Sequence, residues 1–362
     1  MQPRLDACRD SLLRGPWQES GRLLVLAGLS VRLMAESARR AGYEVIALDA
    51  FGDRDTRQAA AAWHDIGTGQ GARLDGARLL AALGALRRPA EAAGPIGWIA
   101  GTGFEALPEV LEQGAALLPL LGTAPPAQAA LRDPGRFFAA LTTLGLPHPA
   151  IQLQRPEPPR GWLYKDFGSS GGWQVRAAQA APADPPPRAY YQQWAPGDPM
   201  SCLFIANGRA ARVLGHQRQL VAPLGTRPCA WHGVLGPVAV AEPAGALLAQ
   251  ALAALVPRFG LHGLASLDYL LDGSTVRLLE CNPRPSASMA LYEGAAELPL
   301  IDAHVQACLR AALPGAPCLP GLVRGTHLVF ADRTVRLDGD TLASLHRSGW
   351  CHDLAASPVR IG

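Results

Sequence analysis

Lysine is almost missing from this sequence: of 33 Lys and Arg residues, only Lys165 is a lysine. Charge as a whole is scarce, with 17% Asp, Glu, Lys and Arg and a net +3 over 362 residues. That balance supplies no basic field for nucleic acid and no patch for an anionic membrane surface, so neither is expected as a partner. No apolar run reaches the length of a membrane span, and the first residues read without the apolar core of a secretion signal. Cysteine is sparse too: Cys8, Cys202, Cys229, Cys281, Cys308, Cys318 and Cys351 are an odd number with no C-x-x-C pair. Such usage argues against a disulfide scaffold and for reduced thiols in the cytoplasm. His346, Cys351 and His352 lie close together but at no recognised metal-ligand spacing, and read as a C-terminal surface segment. No internal repeat is present. The length predicts two to three domains with ample material for cores.

What is there concentrates between Gly263 and Met289, GLASLDYLLDGSTVRLLECNPRPSASM. Asp272-Gly273 between two apolar runs predicts a hairpin turn. In the second strand, Val276 to Asn282, side chains alternate, so Glu280 and Asn282 share one face and Cys281 takes the other. Asp268 lies on the partner strand. Two carboxylates and an amide form a hard-oxygen set suited to Mg²⁺, and Arg284 adds a fixed cation two residues on. A half-exposed hairpin with solvated acids is the plain alternative. The interruption of an apolar sheet by acids beside an Arg favours the metal.

Lys165 opens K-D-F-G-S-S-G-G, a strand running into a glycine-rich loop, Gly168-Ser169-Ser170-Gly171-Gly172. A compact ammonium serves phosphate as a point charge, and Gly lets backbone N–H groups approach anionic oxygens. For a single residue, chance placement is the competing explanation.

In chain order, residues 1–20 read as a lead-in. Strands are expected at 22–27, 44–49, 65–66 and 96–100, separated by helices at 30–40 (Ser30 as N-cap), up to about Trp63, and at 75–87. This alternation predicts a doubly wound parallel sheet over 1–125. Gly101-Thr102-Gly103-Phe104-Glu105-Ala106 mimics a dinucleotide fingerprint but comes late in the sheet, without the following acid, and is rejected as one. Gly101, Gly103 and Glu105 line a substrate crevice or an ordinary loop. One helix is expected over about 127–145, carrying Arg136. Short antiparallel strands follow over 148–221, with one, Ala189 to Trp194, breaking at Pro196-Gly197-Asp198-Pro199. A helix over 244–258, the hairpin, a helix over 298–313 and a closing hairpin over 324–331 and 334–337 complete the chain.

The order of a βαβ domain, Lys165 with G-S-S-G-G, a strand ending Gln192-Gln193-Trp194-Ala195-Pro-Gly, and Asp268…Glu280-Cys-Asn282-Pro-Arg284 resembles the ATP-grasp superfamily. This group includes carboxylate–amine ligases, D-alanine–D-alanine ligases and biotin carboxylases. The resemblance covers nearly the whole chain, and the hairpin is its specific part. It implies a pre-ATP-grasp α/β domain (1–125), a small ATP-grasp subdomain with a Gly-rich lid (126–200), a central subdomain with the metal site (201–315) and a C-terminal hairpin and tail (316–362). It implies that ATP and Mg²⁺ (or Mn²⁺) bind. Lys165 would contact the α- and β-phosphates, and Gly168, Ser169, Ser170, Gly171 and Gly172 would close over the triphosphate. Gln192, Gln193, Trp194 and Ala195 would hold adenine. Asp268, Glu280 and Asn282 would hold one or two metal ions, and Arg284 would stabilise the transferring phosphoryl group. Arg136 stands in for an earlier phosphate-binding lysine, Asp198 is the ribose candidate, and Arg218 a further phosphoryl contact. The family usually has Glu where Gln192 stands and an acid near Pro199.

The implied reaction is ligation of a small-molecule carboxylate to an amine through an acyl phosphate, with ADP released. Gly-Thr-Gly-Phe-Glu, Arg-Asp-Pro-x-x-Phe-Phe and Glu-Cys-Asn-Pro-Arg-Pro-Ser resemble stand-alone members associated with one-carbon carrier cofactors of the methanopterin or methanofuran type. A carboxylase-like enzyme and a non-catalytic ATP sensor are the alternatives. A serine hydrolase is a remote one: Gly168 to Gly172 satisfies G-x-S-x-G around Ser170, and Asp340 and His346 follow in order, but the loop runs into a strand where a nucleophile elbow needs a helix. Oligomeric state is left open, a homodimer included.

Overall fold

The structure, a computed structural model, describes residues 22–69, 72–87, 94–319 and 321–361. The lead-in expected over 1–20 lies outside them. The chain forms two compact units, one of residues up to 104, 109–121 and 329 onward, the other of 105–108 and 122–328.

The first unit holds a parallel four-stranded sheet in the order β3-β2-β1-β4. Its strands are β1 (Leu23–Gly28), β2 (Glu44–Asp49), β3 (Ala62–Asp65) and β4 (Trp98–Ala100). The helices are α1 (Arg32–Arg40), α2 (Arg54–Ala59), α3 (Gly76–Leu86) and α4 (Pro108–Leu117), the last straddling the boundary between the units. The continuous apolar runs of β1 and β2 are what a sheet covered on both faces requires. Two local expectations change. The α1 N-cap is Val31, whose N–H reaches Asp49 Oδ2 at 3.3 Å, and Ser30 does not cap. Helix α2 ends at Ala59, not Trp63, because Trp63 is committed to β3, where its indole donates to Asp49 Oδ1 at 2.6 Å.

In the second unit the helix expected over 127–145 is two, α5 (Pro125–Arg132) and α6 (Pro134–Thr143). Pro134 has no N–H to continue the ladder and drives Asp133 out of helical geometry; Asp133 then caps α6 by accepting from Arg136 N at 3.0 Å. A small sheet in the order β5-β8-β6-β7 follows. Its strands are β5 (Ile151–Gln152), β6 (Trp162–Asp166), β7 (Arg176–Ala177) and β8 (Ala189–Gln193). Next come β9 (Asp198–Asn207), β10 (Ala211–Leu224) and β11 (Arg227–Gly236), the last not anticipated. Helix α7 (Glu242–Phe259) stops where Gly260 adopts φ 58°, a left-handed cap that suits glycine. Strands β12 (His262–Asp272) and β13 (Thr275–Asn282) form the hairpin. Short α8 (Met289–Tyr292), α9 (Leu300–Arg310) and β14 (Arg324–His327) close the unit. The large sheet runs β13-β12-β9-β10-β11-β14. One face carries Cys202, Phe204, Ala265, Leu267, Tyr269, Leu278 and Cys281 into a core shared with Leu248, Leu252 and Leu255 of α7.

The closing hairpin expected at 324–337 does not form. β14 pairs with β11, where a side chain at Gly233 would strike the Thr326 carbonyl. β15 (Val335–Leu337) pairs instead with β16 (Val359–Ile361), on either side of α10 (Gly339–Arg347). No helix among the described residues is long and apolar enough to cross a membrane.

One irregularity in the large sheet decides which side chains of β13 reach its polar face. From Asp272↔Thr275 to Tyr269↔Leu278 the hairpin register is regular, and then Asp268 pairs with Glu280, leaving Leu279 as an extra residue. A bulge of this kind reverses the facing of every residue beyond it. Val276 and Leu278 point into the core, yet so does Cys281, and Glu280 and Asn282 emerge on the other side. Deleting Leu279 is expected to remove the bulge, because Glu280 then follows core-facing Leu278 directly and keeps both its polar face and its place opposite Asp268. The variant should fold with Glu280 still in the acid cluster, at a cost of about 1 kcal/mol read as a shift in the urea unfolding midpoint.

Candidate active site

A polar row crosses the large sheet on the face opposite the core. Glu280 of β13 faces Asp268 of β12, Asp268 faces Ser201 of β9, and Ser201 faces Gln217 of β10. Ser201 Oγ donates to Asp268 Oδ1 at 2.7 Å. Asn282 Nδ2 lies 3.3 Å from Asp268 Oδ2 and 3.2 Å from Glu280 Oε1, tying the two carboxylates together. The three metal candidates are therefore brought into one cluster.

The electrostatics of the pair are unequal. Burial and the neighbouring Glu280 push the Asp268 carboxyl up to about 7. Burial acts on Glu280 in the same direction, but Arg132 and Lys165 outweigh it and hold that carboxyl below its usual range. Lys165 is pulled down from its ordinary value by burial, against the favourable charges of Glu280 and Asp268. The β6 ammonium is thus within the field of the acid cluster.

Lys165 Nζ donates to Gln192 Oε1 at 2.6 Å. An ammonium can only donate, so this contact fixes the amide orientation. Gln192 Nε2 is then left buried with no acceptor among the described residues. Along the following linker, Gln193 N and Trp194 N are already spent on Ala150 O and Gly161 O, each at 2.8 Å. Among the described residues Ala195 N–H makes no such bond, and the Trp194 ring is 61% exposed, open to stack on a planar ring.

The glycine-rich loop is folded against the large sheet. Gly168 N reaches Asp166 Oδ1 at 2.8 Å, and Trp231 N of β11 donates to Gly171 O at 2.9 Å. Gly172, at φ 70°, lies so close to the Cys229 carbonyl that no Cβ would fit. From Gly172 the chain passes through turns to β7, with no helix, so Ser170 lacks the strand-to-helix elbow of a hydrolase nucleophile.

Other candidates are placed differently from one another. Asp198 and Arg218 meet as an exposed ion pair at 2.6 Å. Arg284 pairs with Glu105 through Nε at 3.1 Å and Nη2 at 2.9 Å, a nearly buried contact that joins two sequence candidates 179 residues apart. Arg136 lies on the exposed side of α6, and among the described residues only its backbone N–H is engaged, by Asp133 Oδ1. Arg132, not singled out in the sequence, takes the inner position. It contacts Asn282 Oδ1 at 3.4 Å and Glu280 Oε2 at 3.8 Å, and its Nη2 donates to Phe167 O at 2.8 Å and Ser169 O at 2.7 Å. The available signal was Pro134: a helix broken there ends at Arg132 and turns its side chain away from that of Arg136. Ser201 was missed as well, although a hydroxyl inside Met-Ser-Cys-Leu-Phe-Ile-Ala is what a polar row crossing an apolar sheet looks like.

Comparison with known proteins gives this geometry a family. Residues 133–288 match the family model described as ATP-grasp domain. These residues form an ATP-grasp domain. Biotin carboxylase from Campylobacter jejuni is similar in structure at a TM-score of 0.63 and 16% identity, over 81% of this chain and 72% of that one. N5-carboxyaminoimidazole ribonucleotide synthetase from Thermus thermophilus gives 0.62 and 18%, over 88% and 83%. L-amino acid ligase from Bacillus licheniformis gives 0.62 and 15%, over 89% and 84%. At such identities the likeness speaks for the fold. No curated protein matches.

The residues present fit the cation that the ATP-grasp fold implies. Among the described residues no group of three or more His, Cys, Asp or Glu is placed to hold a metal, but Asp268 and Glu280 with the Asn282 amide form a two-carboxylate oxygen set of the hard type. Their mutual repulsion, which raises Asp268, is what a divalent ion would relieve. The proton and the cation compete for Asp268. Its folded value lies above the unfolded one, so without metal this group's contribution to stability is full below about pH 4 and is lost as pH rises through about 7. Mg²⁺ affinity should run the opposite way. Calorimetric titration is expected to show it weakening by up to about tenfold per pH unit below 7 and levelling above, and Glu280→Gln should flatten that dependence.

Proposed function

We propose that this protein is an ATP-dependent ligase that joins a small-molecule carboxylate to an amine, with ADP and phosphate as co-products. The observation that carries the reading is the Asp268–Glu280 pair under the field of Lys165, within the ATP-grasp domain. A divalent ion bound there would neutralise phosphate charge and orient the phosphoryl group. Phosphoryl transfer asks a protein chiefly for position and charge stabilisation, and the residues on hand supply both. Lys165 offers a point charge to the phosphates. The buried Gln192 N–H and the Ala195 N–H are two donors for the acceptor positions of a purine edge. The glycine-rich loop excludes water, which an acyl phosphate intermediate requires. Arg284, held in place by Glu105, stands beyond Asn282 as a cation for the transferring group or the substrate carboxylate. That Glu105, Arg132 and Arg284 come from the three segments resembling the one-carbon carrier group supports an amino acid such as glutamate as one partner in an amide-forming step of that biosynthesis.

The test is turnover. Protein, Mg-ATP and a small-molecule extract, followed by mass spectrometry with and without hydroxylamine, should give ADP together with a new amide, or a hydroxamate that names the carboxylate by mass. AMP in place of ADP would replace the acyl phosphate with adenylylation. Lys165→Ala and Glu280→Ala should fold yet lose about a hundredfold or more in kcat; undiminished turnover in either would overturn the residue roles.

A further inference from the structure

Arg132 makes two kinds of contact at once. Its guanidinium fork holds the carbonyls of Phe167 and Ser169, the start of the glycine-rich loop, at 2.8 and 2.7 Å, with Nε adding a third contact to Phe167 O at 3.2 Å. Its Nη1 faces the other way, onto Asn282 Oδ1 at 3.4 Å and Glu280 Oε2 at 3.8 Å. The side chain is 15% exposed. It ends α5, and Pro134 prevents the helix from continuing past it, so its position is set by the backbone.

These two faces compete with one ligand. A cation held by Asp268, Glu280 and Asn282 would need Asn282 to present Oδ1, the atom Arg132 now occupies, and it would place two positive charges beside the guanidinium. We propose that Arg132 is the resident counter-ion of the acid pair and at the same time the clasp of the glycine-rich loop, so that divalent-cation binding and the clasp exclude one another. With no metal, Arg132 neutralises Glu280 and pins the loop at Phe167 and Ser169. A cation at the acid pair repels the guanidinium, takes Asn282 Oδ1 and frees that end of the loop, while Trp231 N still holds Gly171 O. Cation arrival thereby opens the lid for the nucleotide. Linkage makes the relation reciprocal: loosening the clasp must strengthen cation binding by the factor with which the cation loosens the clasp. Arg132 acts here as a positioning residue. The proposal rests on the reading of the acid pair as a divalent-cation site.

The experiment measures both ends in the full-length protein, without nucleotide. Mg²⁺ affinity is read by calorimetry, with Mn²⁺ as a second probe, and loop order by amide hydrogen exchange over 166–175. In the wild type, Mg²⁺ should raise exchange in this segment. Arg132→Gln should bind Mg²⁺ about tenfold more tightly and exchange the segment fast whether or not Mg²⁺ is present. A residue that merely supports the fold would not improve cation binding when removed. Arg132→Lys keeps the charge but has no fork for two carbonyls; it should loosen the loop and tighten Mg²⁺ binding by less than Arg132→Gln does, and it serves as the test if the Gln variant folds poorly, unchanged Mg²⁺ affinity with a loosened loop overturning the coupling. Mg²⁺ affinity unchanged or weakened in Arg132→Gln, or exchange indifferent to Mg²⁺ in the wild type, overturns the coupling and leaves the ligase reading standing. Failure of both wild type and Arg132→Gln to bind Mg²⁺ or Mn²⁺ overturns the two together.

Discussion

Two carboxylates facing each other across adjacent strands are a standing electrostatic cost, and much of the second unit is arranged around it. Asp268 and Glu280 cannot both be comfortably ionised at close range in a partly desolvated place. The fold answers with compensation from four directions: the Ser201 hydroxyl on Asp268, the Asn282 amide between the pair, Arg132 from the end of α5, and the Lys165 field from the small sheet. The compensation is incomplete, since Asp268 remains pushed up to about 7. A cluster tuned only for stability would be better served by apolar residues of similar volume. Residual repulsion of this kind is what a bound positive charge would relieve.

Around that centre, each further group is held by a partner distant in sequence. Arg284 is neutralised by Glu105, so its orientation is fixed before any anion arrives. Lys165 is aimed by Gln192, a neutral amide, and therefore keeps its charge available; a carboxylate in that place would have spent it. Asp198 and Arg218, by contrast, satisfy one another at the surface, where such a pair contributes little to stability and can part readily when a ligand offers either of them a better partner. The glycine-rich loop is held at two points of different strength, the Arg132 fork at one end and a single backbone bond from Trp231 at the other.

Much of this was legible in the residues. Alternation of apolar runs and helices gave the parallel sheet, and β2 falls on the residues read for it. The Asp272-Gly273 signal located the hairpin, and the solitary lysine pointed to a place that the structure sets beside the acids. The misreadings share a cause. A helix drawn through Pro134, a helix drawn through Trp63 and a hairpin drawn between β14 and β15 all followed local pattern where a distant contact had the larger say: Asp49 claims Trp63, and the glycines of β11 and β14 let those two strands approach.

The sequence by itself determined the chemistry in hand: two acids, an amide, one lysine, a flexible loop and the arginines, each on an element whose type is written in its own periodicity. Only the tertiary structure decided which of them meet. Spacing alone would set Asp268 opposite Leu279 and turn Glu280 into the core, and one bulged residue reverses this. The resemblance put Arg136 forward, and a single helix break gave the inner position to Arg132. The physical reason is the same in both cases. Side-chain facing changes completely with a shift of one residue, and electrostatic interaction depends on distance through space, so neither is fixed until the whole path of the chain is.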